Sequence, residues 1–489
     1  RHLIAAGRPE LQNLPRPAVD RRRFLQWAAA SGAVGARSSA AAPAAGTLID
    51  DVSHLNPVRV AGETRPRSTE DVRGALRAWR GRVCVGGGRY SMGGQIAAPG
   101  ALHLDMRAMN QVVWFEPKRQ AIRVQAGMTW RDVQEVIDPH DLSVKIMQSF
   151  SSFTVGGSVS VNCHGRYVGR GPLVNAVQAV QLVLAHGEVL ELSRTRDAEL
   201  FAAVFGGYGG LGVITEVELD LDVNAPMERL VQDVSLEDYP AFLQHRVLAD
   251  GRALLHNADL RPPGFHAPRA ITWVATDKPL TRPERLVPRN LNYGLERNAI
   301  WAATELPGGR LLRERFFDRQ LLDQPAVVWR NHEASLDVAA LEPRTRALST
   351  YLLQEYFIPV PGFLSFARRM ADILRQHRVN ALNVSIRHSP PDRVSLLKWA
   401  PTEVLSFVLY YKQRNSEHAS LESRFWTRKL IDAALAGGGR YYLPYRPDAT
   451  RQQFHQAYPE ARAFAALKAR VDTASRLSNQ LWDRFLPQI

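Results

Sequence analysis

Cysteine is almost absent: Cys84 and Cys163 are the only two among 489 residues. Two thiols cannot build a disulfide framework, and neither stands in a Cys-x-x-Cys or Cys/His spacing, so no structural metal is implied. Both lie in apolar, glycine-flanked segments, where a small buried side chain is the ordinary occupant. Lysine is scarce as well, seven residues against 55 arginines. The formal charge of +14 raises nucleic acid or an acidic membrane as partners. The arginines are spread along the chain instead of forming one basic stripe interleaved with aromatics, which argues against nucleic acid; a basic surface still suits an anionic substrate. What the chain has is length and apolar content: at 45% hydrophobic it can bury a large core, and a prior of roughly 100–200 residues per domain gives two or three domains.

The first 45 residues read as an address. Asp20-Arg21-Arg22-Arg23-Phe24-Leu25-Gln26 precedes a weakly apolar run from Trp27 to Ala36 and an Ala-rich stretch with Pro43. That order resembles a twin-arginine export signal, which predicts a periplasmic or exported protein, the other reading being a basic tail on a cytoplasmic one. The apolar run falls far short of the ~20 residues of a membrane span.

Ser68 is placed to cap a helix running to about Arg80, with Asp71 at its positive end. A short buried strand, Val83-Cys84-Val85, follows, and then Gly86-Gly87-Gly88-Arg89-Tyr90-Ser91-Met92-Gly93-Gly94. Glycines let the backbone turn through positive φ and bring successive N–H groups to an anion such as a pyrophosphate, although a surface loop has the same composition. A dinucleotide fingerprint would open directly into a helix. Here the turn runs instead into strands at Leu102-His103-Leu104-Asp105, Val112 to Phe115 and Ala121 to Val124, so any phosphate is held by loops between strands.

Three glycine-bearing segments in order carry a resemblance. The first is that turn, followed by Val124-Gln125-Ala126-Gly127-Met128-Thr129-Trp130. The second is Thr154-Val155-Gly156-Gly157-Ser158-Val159-Ser160-Val161-Asn162-Cys163-His164-Gly165. The third is Phe205-Gly206-Gly207-Tyr208-Gly209-Gly210-Leu211-Gly212-Val213-Ile214-Thr215, before an alternating strand from Glu216 to Leu221. Together they resemble the FAD-binding domain of the vanillyl-alcohol-oxidase and p-cresol-methylhydroxylase (PCMH-type) superfamily. The resemblance implies an α+β protein: a two-subdomain FAD-binding domain over 46–225, an α/β substrate cap with an antiparallel sheet over 226–435, and a segment over 436–489 that returns to the FAD site. It implies that FAD is contacted by Gly86, Gly87, Gly88, Arg89, Tyr90, Ser91 and Met92, by Gly156, Gly157, Ser158, Asn162 and His164, and by Gly212, Val213 and Ile214. Many relatives attach flavin through a His in the first loop; Tyr90 stands there, which implies non-covalent FAD. His164 reads equally as a flavin contact or a satisfied core histidine.

In the cap, strands are expected at Arg269–Ala275, Glu355–Val360, Leu382–Arg387 and Leu405–Tyr411, the last a central one, and helices at Ser235–Arg246 and Pro361 to His377. Residues 278–318 are Pro/Arg-rich and aperiodic, a loop or a surface or membrane-facing excursion. The tail, from Gly437-Gly438-Gly439-Arg440 through Leu477-Ser478-Asn479-Gln480, resembles that of sugar-lactone oxidases, alditol oxidases and decaprenylphosphoryl-ribose oxidases. In those families a cap strand carries Glu-x-Arg; here Ser385-Ile386-Arg387-His388 keeps the Arg, and Ser385 replaces the Glu. Their Lys five residues after Gly-Gly-Arg is Tyr445 here. Arg387, Tyr445 and His388 are therefore the catalytic candidates, with Lys398 weaker. Two readings of Tyr445 stand, a phenol replacing the lysine or simple packing. The activity implied is oxidation of a CH–OH group of a sugar lactone, alditol or similar polyol, with oxygen or a respiratory quinone or cytochrome as acceptor; a flavin-binding homologue without chemistry is the reading of a different class.

Overall fold

The computed structural model describes residues 46–305, 324–343 and 345–486; the export motif therefore lies outside the described residues. The helix Thr69–Ala78 is closed at its start by a capping box, Asp71 N–H donating to Ser68 Oγ at 3.1 Å and Ser68 N–H to Asp71 Oδ2 at 3.0 Å. This satisfies amides that a helix end leaves bare. The chain then enters a small parallel sheet ordered Gly62–Thr64, Leu102–Asp105, Val83–Gly86, and the glycine turn leaves from the end of Val83–Gly86.

A second sheet, antiparallel, is ordered Val189–Ser193, Val177–Val183, Val213–Val223, Ala121–Gln125, Val112–Glu116, with Leu142–Val144 on the far end of the long strand. Alternation along it buries Ile122, Val124, Val180, Leu182, Val217 and Leu219. The intervening Arg123 is fixed between Glu191 and Glu216, 2.7 Å from each. The helix Trp130–Ile137, with its own capping box from Thr129 and Asp132, and the short helix Val155–Ser160 lie along this core.

The described strands from Pro226 to Tyr441 form an eight-stranded antiparallel sheet, in the order Val327–Trp329, Pro226–Asp233, Arg269–Ala275, Ala253–Leu260, Asn380–Ser389, Val404–Arg414, Ser349–Pro359, Arg440–Tyr441. Its two faces differ. Tyr356, Phe407 and Tyr411 turn to the helices Phe363–Gln376 and Glu417–Ala436, with Phe407 against Phe363 and Phe366, and Tyr411 against Trp426. The alternate residues, Glu355, Val408, Ser385 and Arg387 among them, turn to a cavity. The strand expected at 405–411 is interior and runs longer, Val404–Arg414. The helix expected over 235–246 is a single α turn, Tyr239–Phe242, that continues as a wider-wound Leu243–Leu248. The aperiodic 278–318 stretch contains a helix, Gly294–Glu305, after a described segment without regular structure, and residues 306–318 lie outside the described residues. No described helix is long and apolar enough to cross a membrane.

After Arg440–Tyr441 the chain leaves the large sheet and crosses to the glycine loops. Met92 N–H donates to Pro444 O at 2.8 Å, and the Gln95 amide donates to Leu443 O and Tyr445 O at 2.7 and 2.8 Å. Val83 N–H donates to Arg476 O, and Ser478 N–H to Val83 O, adding the tail to the small parallel sheet. Lys468 is 8% exposed, and its ammonium donates to Gly210 O, Leu477 O and Asp472 Oδ2 at 2.7, 2.7 and 2.8 Å. Removing one member of such a buried pair leaves the other charge without compensation. Lys468→Met is therefore expected to cost about 3–5 kcal/mol, whereas Arg470→Ala, breaking an exposed pair with Glu199, should cost under about 1 kcal/mol. Denaturation midpoints followed by circular dichroism check the contrast; equal midpoints for the two variants would refute it.

Candidate active site

A cavity of about 500 Å³ lies between the glycine loops and the open face of the eight-stranded sheet. Gly87, Gly88, Arg89, Tyr90, Ser91 and Met92 line one side with Gly156, Gly157, Ser158, His164, Gly212 and Ile214. The glycines are there for clearance. A Cβ on Gly87 would meet Thr154 Oγ1 at 2.3 Å, one on Gly156 the Ala126 Cβ at 2.6 Å, and one on Gly212 the Leu182 side chain at 2.6 Å. Arg89 adopts φ +63°, and its guanidinium is engaged by Glu63 at 2.6 Å and Asp105 at 3.6 Å. Among the described residues the amides of Arg89, Tyr90 and Ser91 donate no hydrogen bond, which leaves three N–H groups at the cavity wall. The Tyr90 ring stands edge-on to Phe153 at 4.6 Å, and burial pushes its phenol up to about 12.

Three of the expected flavin contacts do not line the cavity. Gly86 closes the strand behind the loop, where a Cβ would strike the His103 ring at 2.6 Å. Val213 is buried in the core beneath the helix Thr69–Ala78. Asn162, at φ +48°, holds a distant loop in place: its amide donates to Asp392 Oδ2 at 3.0 Å and its oxygen accepts from Val174 N–H at 3.2 Å. These residues shape the loops from behind.

From the sheet, alternation delivers Asn383, Ser385 and Arg387 to the cavity together with Tyr445 from the returning tail. Arg387 is dominated by desolvation, which pulls its pKa down despite Glu355 nearby, and its Nε is sealed without a hydrogen-bond partner among the described residues. Tyr445 is pushed well above the ordinary phenol range by burial and then by Glu355, with Arg387 opposing. A phenol so placed can donate a hydrogen bond. His388 does not belong to the site: one residue on from Arg387, it turns away and pairs with Glu403 at 2.8 Å. Lys398 likewise does not line the cavity; its carbonyl accepts from Arg440.

Glu355 and Arg166, which no motif in the sequence marks, also line the cavity. Glu355, 3% exposed, places Oε1 2.7 Å from His164 Nε2; the His164 ring is held among Trp399, Phe357 and Tyr442 at centroid distances of 4.8, 5.6 and 6.0 Å. Arg166 pairs with Glu333 at 2.8 Å. The signal for Glu355 was one carboxylate in the apolar run Leu352-Leu353-Gln354-Glu355-Tyr356-Phe357-Ile358, because an ionisable group is rarely buried without a partner.

The wall fits FAD on its own terms. Unpaired loop amides suit a pyrophosphate, side-chain-free glycines admit a close approach, and the orphaned Arg387 Nε suits a polar ring edge or oxygen. The comparisons agree. Residues 60–193 match the FAD binding domain family. L-gulonolactone oxidase of Bos taurus is 33% identical over 158 residues, 32% of this chain and 36% of that protein; cytokinin dehydrogenase 2 of Arabidopsis thaliana is 33% identical over 178 residues, 35% of each. These two matches span about a third of the relatives' length. Decaprenylphosphoryl-beta-D-ribose oxidase of Mycolicibacterium smegmatis is 30% identical over 415 residues, 82% of this chain and 88% of that protein. With glycine loops shaped for close backbone approach and a likeness that extends well beyond them, the chain belongs to the PCMH-type family of FAD-dependent oxidoreductases.

Proposed function

We propose that this oxidoreductase oxidises a CH–OH carbon of a sugar lactone, alditol or similar polyol, using FAD held without a covalent bond, and returns the electrons to oxygen or to a respiratory quinone or cytochrome. The observation that carries the reading is the convergence of Arg387, Tyr445 and the Glu355–His164 pair at the cavity. FAD held there would supply the hydride-accepting chemistry. Gly87 to Ser91 and Gly156 to Ser158 would hold it, their amides and clearances accepting the diphosphate without any lysine. Arg387 supplies fixed positive charge where negative charge develops, and it requires little reorganisation because strand pairing opposite Ser406 holds its backbone. Tyr445, retaining its proton, orients a substrate oxygen as a donor. Apolar residues, Leu336, Val338, Leu341 and Leu353 among them, line the same cavity. They exclude water and leave room for an apolar substituent on the substrate, consistent with the long match to an enzyme named for a decaprenylphosphoryl sugar.

The purified protein is expected to be yellow, to release its colour into the supernatant on acid precipitation, and to bleach anaerobically with one class among sugar-1,4-lactones, alditols and phosphorylated sugars. Colour retained in the pellet would refute the inference drawn from Tyr90, and failure of all three classes would refute alcohol oxidation. Arg387→Met should keep FAD while slowing flavin reduction about 10²–10³-fold, the effect of removing one preorganised electrostatic donor; stopped-flow absorbance reads it. We further propose export by the twin-arginine route, on the strength of the Arg21-Arg22-Arg23-Phe24-Leu25 motif. Replacing Arg21 and Arg22 by Lys should hold the protein in the cytoplasm, as fractionation would report.

A further inference from the structure

Three adjacent strands of the large sheet set one row of side chains across the cavity. Glu355 on Ser349–Pro359 and Ser385 on Asn380–Ser389 are both register partners of Val408 on the strand between them. Direct partners in an antiparallel sheet share a face, and two strand spacings separate the outer pair by roughly 10 Å. All three line the cavity, and Arg387 stands in the next row, opposite Ser406. The carboxylate missing at position 385 is therefore present in the same row on the opposite flank, with Arg387 on the same face.

Glu355 is not an incidental buried acid. His164 engages Oε1 at 2.7 Å, and among the described residues Oε2 makes no hydrogen bond. The aromatic rings around His164 fix that contact, leaving the second oxygen to the cavity. We propose that Glu355 is the group that takes the hydroxyl proton of the substrate, with His164 holding the carboxylate in place. This rests on the alcohol-oxidation reading above. As the substrate O–H bond breaks, its proton passes to Glu355 Oε2 and its electron pair forms the new C=O bond. The C–H bond breaks with its electron pair, which would leave as hydride to the FAD that the glycine loops would hold. Carbon loses two electrons and FAD gains them, so no further reactant is required. Tyr445 cannot take this part, since burial and the neighbouring Glu355 keep its phenol protonated.

The test uses the flavin-loaded full chain and whichever probe among a sugar-1,4-lactone, an alditol and a phosphorylated sugar bleaches the wild type. Glu355→Gln is expected to hold FAD at the wild-type ratio and to bind the probe with unchanged affinity in anaerobic calorimetry, while flavin reduction slows about 10²–10⁴-fold, the range of a lost general base. His164→Asn, which leaves the carboxylate in place, should lose less. A wild-type reduction rate in Glu355→Gln would overturn the proposal. So would probe affinity falling in step with rate, which would make Glu355 a binding group only, or an equal loss in His164→Asn, which would assign the proton to the imidazole. Should Glu355→Gln not load FAD, Glu355→Asp keeps an acid at shorter reach. It is expected to bind the probe and reduce more slowly than wild type, and an undiminished rate there counts against the assignment. If no probe bleaches the wild type, the alcohol-oxidation reading fails and takes this inference with it; if a probe bleaches wild type and Glu355→Gln alike, only Glu355 is wrong.

Discussion

One ammonium group joins the last part of the chain to its glycine loops. Lys468 reaches Gly210 in the third loop, Leu477 in the tail and the carboxylate of Asp472, all in an environment that drives its pKa down by burial. Asn479 and Trp482 extend the same attachment, donating to Tyr208 O and Gly207 O at 2.7 and 2.9 Å. Backbone carbonyls of a glycine-rich loop have no ladder to satisfy them, and buried carbonyls without donors are costly. The tail supplies those donors, so the loop conformation that opens the cavity is maintained from behind by residues more than 250 positions away in sequence.

The arginine-rich composition follows a similar logic. Arg123, Arg89 and Arg330 are not surface charge: each lies within the fold, held by carboxylates or carbonyls. The planar guanidinium serves several acceptors at once, which a lysine does less well. Arg387 differs from them. Among the described residues its guanidinium has no carboxylate or carbonyl hydrogen-bond partner, and its Nε is buried without one.

The glycine segments were legible because the constraint on them is local. A Cβ at Gly87 or Gly156 collides with its surroundings, so the residue type itself records the geometry. Strand positions in the cap were legible for the same reason, since β-branched and aromatic runs report burial on a pleated surface. What alternation and motif could not convey was register. Glu355, Ser385 and Val408 form one row only because of how strands whose row members stand 23 to 53 residues apart align, and no local pattern encodes that alignment. His388 shows the same limit in reverse: a motif neighbour of Arg387 in sequence, it faces away by the two-residue period. Asn162 and Val213 sat inside the right segments yet serve the loops structurally, because a motif marks a stretch of backbone without marking which side chains point inward.

The cavity wall draws on residues from Val52 to Tyr445, so its closure is among the most non-local events in the described fold. Contacts of such separation form late in folding, and a ribosome making N-terminal segments first cannot present the finished wall while the tail is still unsynthesised. Completing the wall around a cofactor therefore requires the segment that carries Tyr445 and Lys468 to have been made. Until then the glycine loops lack the donors that hold them, and a chain truncated ahead of Lys468 would be left with a flavin cradle that has every loop and no clasp.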